Sequence, residues 1–411
     1  MTGIRICFTL VFAGALTAQT PRLDTTTFVV MGEGLAAGMA NYGLSSTVQS
    51  GSFPARIAAQ MQTAFPQPLM QPPGIGDVVG FPRQEVRMPI YPQGTVRVFA
   101  PQPNPNDNAP TLFVLNLSVP GFTLADSLTL RPQEPIVQRD MKQTVTNMIL
   151  GFPQLFFQRK VPLWTQFEYA RAMLPTMALI ELGYYEALDA AVNADPARIP
   201  DPAAFGASYS TVLAGLRGLQ AQVIATTIPN PLDTAYFSTP ESAAALYNIA
   251  PADFRSALQL NPGDLLTRDA LTTVGLQFAT RKFAALPKGA VLTAAGANEI
   301  TARVNALNAQ IATVARSNGA VVYDLNAFLR RVRVSGAIAG NRSLTADYLG
   351  GFYSLDGVYP GSTGHALIAN DILLFLNQTY RTSFPQVGLN PIVAADATLG
   401  GVRIPAARSG Q

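Results

Sequence analysis

The chain has 411 residues, with 28 Lys+Arg against 25 Asp+Glu, a formal charge of +3, one histidine, one cysteine and 32 prolines. A single histidine, His365, and a single cysteine, Cys7, exclude His-rich zinc sites, thiolate metal cages and an internal disulfide. The arginines are scattered, without the basic run of a nucleic-acid or anionic-membrane binder, so polyanion partners are not expected.

In chain order, Arg5 precedes an apolar run over residues 6–16, with small residues at Ala13, Ala15 and Ala18. This pattern reads as a secretory signal peptide over residues 1–18 and falls well short of the roughly 20 apolar residues that a membrane span needs. No later stretch supplies them. The expectation is therefore an exported protein, secreted or periplasmic, with no transmembrane segment. It loses Cys7 with its leader.

Residues 27–31 (TFVVM) predict a first core strand that runs into a Gly-rich turn, Gly32-Glu33-Gly34-Leu35. Ser52 caps a helix over about residues 53–65, and the closely spaced prolines of residues 66–110 predict an elaborated surface insertion. Apolar runs at 111–119 (TLFVLNLSV), 176–183 (TMALIELG) and 222–228 (QVIATTI) predict buried strands, with a helix over 202–219 between the last two. Ile300, Val304, Leu307, Ile311 and Val314 recur at helical spacing within residues 293–317. Asn318-Gly319 ends that helix, and residues 320–325 (AVVYDL) form a fifth strand. A last helix opens at Ser362-Thr363 and runs to about Tyr380, with an irregular tail over 385–411. Alternation of this kind predicts an α/β fold around a mainly parallel five-stranded sheet. It forms one domain over residues 24–384.

Four blocks occur in the order and contexts of the GDSL, or SGNH, hydrolases: Gly32 to Leu35, 116–126 (NLSVPGFTLAD), Gly183-Tyr184-Tyr185-Glu186 and 354–360 (SLDGVYP). The chain resembles the large secreted bacterial branch of that family, whose last block reads like 352–360 (FYSLDGVYP) followed by 364–370 (GHALIAN). The resemblance implies a three-layer α/β/α sandwich and ester hydrolysis by a Ser-Asn-His-Asp set. Position by position, it places Gly34 where the family has its nucleophile and Gly121 in the oxyanion hole. Tyr185 takes the place of the oxyanion asparagine, Asp356 is the triad acid and Tyr359 stands at the base histidine. Glycine has no nucleophile. A phenol with an ordinary pKa of about 10 is a poor base near neutrality. Loss of one triad member leaves only about 10³ to 10⁴-fold catalysis over water.

The resemblance thus implies a pseudoenzyme or strongly impaired hydrolase. Its rival is an atypical esterase or lipase acting on acyl esters. Glu33, Tyr185, Glu186, Asp356 and Tyr359 converge if the blocks lie at the carboxyl ends of the strands. Such a set grips a glycan or acyl ligand, satisfies itself as a hydrogen-bond network, or supports carboxylate chemistry at the right separation. No cofactor is implied, and no metal-ligand spacing is present. His365 reads as a surface or packing residue, and Ser45, Ser46, Ser50 and Ser52 as loop and capping serines.

Overall fold

The computed structural model describes residues 22–72, 74–75, 89–90, 113–152, 154–157 and 161–399. Residues 1–21, which include the expected leader, most of the Pro-rich stretch 66–110 and residues 400–411 lie outside them. The central sheet has four parallel strands: β1 (Phe28–Gly32), β2 (Met177–Glu181), β3 (Gln222–Thr226) and β4 (Val321–Tyr323), side by side in that order. All five residues of both β1 and β2 are buried, as expected of strands covered on both faces. Residues 113–119 run beside the free edge of β1. They join it through one parallel bridge, Val30 to Asn116, and through Val30 N–H to Leu115 O at 2.9 Å and Leu117 N–H to Val30 O at 2.9 Å. Val119 N–H to Gly32 O at 3.1 Å is a third such bond, and Gln166 Nε2 donates to Leu117 O and Gly32 O, both at 2.8 Å, so the expected second strand is an extended segment rather than a regular strand. Asn116 Nδ2 donates to Ala36 O and Gln67 Oε1, while Asn116 Oδ1 accepts from Ser118 N–H.

Counting that segment, chain order across the sheet is 2-1-3-4-5. In such sheets the crevice outside the strand ends lies at the switch point beside β1. The register sets Gly32 of β1 directly beside Glu181 of β2. Four helices flank the sheet in two pairs and complete an α/β/α arrangement. Ala294–Ser317 packs on Pro202–Arg217, and Ser362–Tyr380 packs on Phe53–Gln60. The long amphipathic helix buries Ile300, Val304, Leu307 and Ile311, with Thr293 as its cap. The last helix is capped by Gly361 rather than by Ser362, whose hydroxyl instead accepts from Arg56 Nη2 at 2.9 Å.

Two regions differ from the sequence expectation. Residues 385–399 are not irregular: Leu389–Ala395 is a helix that packs on Ser362–Tyr380, and Asp396 accepts from Thr363 N–H and Oγ1 at 3.0 and 2.8 Å. Tertiary packing, not propensity, stabilises so short a helix. Between β3 and the long helix the chain builds a small antiparallel sheet from Phe237–Ser238, Leu265–Thr267 and Val291–Leu292. It carries a separate hydrophobic core around Phe254, Leu266 and Val274, where the Phe254 and Phe278 rings stack at 5.2 Å.

Candidate active site

The strand ends bring four of the family-block positions together. β1 ends at Gly32, and Glu33 then caps a single helical turn, Gly34–Ala37, by accepting from Leu35 N–H with Oε1 at 2.6 Å. Its other oxygen accepts from the Tyr359 hydroxyl at 2.9 Å. The backbone N–H groups of Gly34 and Gly121 also face this carboxyl. Gly121 sits at φ +80°, the left-handed region open to glycine, which turns the chain toward Glu33. The Gly121 amide, which the resemblance assigns to an oxyanion hole, therefore faces a carboxyl of the protein itself, together with the amide at the nucleophile position, Gly34.

Tyr359 stands where that resemblance puts the base, and its ring crosses the turn to reach Gly34. A Cβ built on Gly34 lies 2.5 Å from Tyr359 Oη and 2.7 Å from its Cζ. Glycine is present at position 34 for room; its φ is ordinary. The Tyr359 ring is about 1% exposed and meets Tyr184 edge to face at 6.3 Å. Burial first, and the Glu33 charge second, push its phenol well above the usual range, so it remains a donor. Asp356 is fully buried, and its carboxyl is held by backbone N–H groups and the Ser354 hydroxyl. Its Oδ1 accepts from Val358 and Tyr359 N–H, both at 2.8 Å, and its Oδ2 from Tyr42 N–H at 3.3 Å.

Glu181, which lies outside the four sequence blocks, is the fourth carboxyl of the group. It is the last residue of β2 and accepts from Glu33 and Ala36 N–H at 3.2 and 3.3 Å through one oxygen. Gly32 beside it is closely surrounded: a Cβ there lies 2.7 Å from Ala36 Cβ and 3.0 Å from both the same Glu181 oxygen and Ser118 Oγ. A single charge in the otherwise apolar run TMALIELG was the available signal. Burial, then the neighbouring Glu33, pushes the Glu181 carboxyl well above the ordinary range. Burial pushes Glu33 up to about 7 against the pull of its hydrogen bonds. Glu186, at the start of the helix Tyr184–Val192, is likewise pushed up to about 7 by burial and accepts from Leu124 N–H at 2.7 Å. Among the described residues its second oxygen makes no hydrogen bond to another residue.

Tyr185 is half-buried and set apart from this core. Its ring faces Gly121, and the Lys142 ammonium lies 5.6 Å from its centroid. His365 lies elsewhere, buried in the last helix against Phe53 with ring centroids 6.1 Å apart and facing the Met39 backbone. Burial, then the Arg56 guanidinium, pushes it down to about 3. Ser52 Oγ caps the helix Phe53–Gln60. Among the described residues no group of three or more His, Cys, Asp or Glu is arranged to hold a metal ion, and no helix is long and apolar enough to cross a membrane.

No family model matches the chain, and no curated protein matches it. Among solved structures, the chain is similar to a crystal structure of TesA, at 11% identity and a TM-score of 0.35, over 86% of this chain and 99% of that one. It is similar to phospholipase A1 from Streptomyces albidoflavus NA297 at 11% identity and a TM-score of 0.34, over 87% of this chain and 100% of that one.

Proposed function

We propose that the protein is an SGNH-like hydrolase scaffold whose catalytic centre has been converted into a self-satisfied structural plug, leaving it without ester-hydrolase activity. The observation that carries this reading is the Tyr359 phenol, which fills the space of a residue-34 side chain and donates to Glu33. The four sequence blocks support the family assignment, and the changes at Gly34, Tyr185 and Tyr359 support the loss of chemistry. Glu33 supports it as well, since a resident carboxyl competes with any substrate oxygen for the amides of Gly34 and Gly121. A substrate or glycan reaching Glu33 and Tyr359 would have to displace that ring and break its hydrogen bond to Glu33, so the network itself is the better account of these residues. Asp356 supports the block 354–360 as a loop clamp instead of orienting a base.

Serine-directed organophosphonate labelling tests this directly. The expected result is an unchanged intact mass on folded protein. A stoichiometric adduct on any serine that is lost in Asp356→Asn would establish the rival esterase.

The same reading includes export. Arg5 and the apolar run over residues 6–16 support a leader removed after Ala18. N-terminal sequencing of protein recovered outside the cytoplasm should begin at Gln19; a chain that keeps Met1 there would contradict it.

A further inference from the structure

The junction between the two hydrophobic cores holds an open cleft of about 660 Å³, between the end of the helix Tyr184–Val192 and the small antiparallel sheet. That volume lies within the range of roughly 300–1,000 Å³ usual for small-molecule sites, which favour such junctions. The cleft shares no lining residue with the Glu33–Tyr359 plug. Val192, Pro287 and Val291 give it apolar walls, and Asn193, Asp269 and Lys288 give it polar ones.

The charges on these walls are unequal. Asp269 is already neutralised, with Oδ1 at 2.7 Å from Arg268 Nη2 and Oδ2 accepting from the Tyr236 hydroxyl at 3.1 Å. Lys288 is exposed, and among the described residues it has no ion pair or hydrogen bond. Gly289 beside it has open space on its Cβ side. Asn193 donates through Nδ2 to Asp189 O and Oδ1 at 2.8 and 3.0 Å, which turns its Oδ1 into an unused acceptor. The lining therefore offers one uncompensated cation, carboxylate and amide oxygens that accept from hydroxyls, and apolar surface for a ring face.

We propose that this cleft binds a small hydroxylated organic acid, a sugar acid in the simplest case, with its carboxylate on Lys288 and its hydroxyls on Asp269 and Asn193. Calorimetric titration of the full folded chain with D-glucuronate tests it, with D-glucose as the uncharged comparison. Saturable binding of glucuronate is expected, with glucose weaker by about tenfold. Lys288→Glu should weaken glucuronate by about tenfold or more through like-charge contact, and Lys288→Arg should retain it. Lys288 is on the surface, so neither change threatens folding. Absence of saturable glucuronate binding, equal affinity for glucose, or an unchanged affinity in Lys288→Glu would each overturn the proposal. None of these results depends on whether the Glu33–Tyr359 centre hydrolyses esters.

Discussion

Gly34→Ser alone, which puts a hydroxyl at the nucleophile position of the proposed family, should destabilise the protein by about 1–3 kcal/mol, as overpacked cores generally do. A Cβ at 2.5 Å from Tyr359 Oη cannot be accommodated without moving a ring that is buried and held by Glu33. Relief must come from the same ring. Gly34→Ser combined with Tyr359→His shortens the side chain at 359 and should recover most of the loss. The double-mutant cycle should show a coupling of about 1 kcal/mol or more between positions 34 and 359. Urea midpoints of the four proteins measure it. Additive effects, or a Gly34→Ser protein as stable as the natural chain, would mean that Tyr359 does not occupy the nucleophile's space.

The second large effect is on pH. Glu33 and Glu186 are raised to about 7 from an ordinary 4.5, and Glu181 is raised as well, so the folded chain binds more protons than the unfolded chain between about pH 4.5 and 7. Stability that these groups contribute is present in full below about 4.5 and is lost as pH rises through the folded values. A shift of this size corresponds to about 3 kcal/mol for one such group. His365 acts with the opposite sign. Its folded value of about 3 against an ordinary 6.5 means that the folded chain binds fewer protons, and stability falls as pH drops from about 6.5 toward 3. The two effects oppose one another in mild acid, and above about 6.5 the glutamates act alone.

Urea stability should therefore fall between about pH 6 and 8. Glu186→Gln should flatten that fall and leave a protein at least as stable as the natural one at the upper end, since among the described residues its second oxygen has no hydrogen bond to another residue to lose. The chain has one histidine, so a single imidazole resonance reports the other limb. It should not titrate between about pH 5 and 8. A flat stability profile across that range, or a His365 resonance with a midpoint near 6.5, would remove the electrostatic account of the buried cluster.

Much of the frame was legible in the residues themselves. The runs TFVVM, MALIE and QVIAT are continuous and apolar because β1, β2 and β3 are covered on both faces, and the 3.6-residue spacing of Ile300 to Ile311 follows from one buried stripe. The Gly-rich turn, Tyr185-Glu186 and the 354–360 block were readable as positions at strand ends. Their relationship was not. That Gly34 is empty because Tyr359 fills its space is a contact across 325 residues, visible only once both blocks are folded. Glu181 is not legible in the same way, because a strand-end charge carries no periodic signal. The insertion between β3 and the long helix left no pattern to read, since strands of two or three residues are too short for any alternation. The helix Leu389–Ala395 was lost for a similar reason: it exists because the last long helix offers it a surface.

Hydrolysis of a short-chain p-nitrophenyl ester by the purified chain tests the plugged-centre account most directly, with Asp356→Asn and the combined Gly34→Ser, Tyr185→Asn, Tyr359→His variant measured beside it and circular dichroism confirming that each is folded. The account predicts no turnover above background for the natural chain, none for Asp356→Asn, and a gain only in the combined variant, where a Ser-His-Asp set replaces the phenol. Turnover by the natural chain that disappears in a folded Asp356→Asn protein would contradict it, because Asp356 would then be orienting a working base rather than clamping a loop.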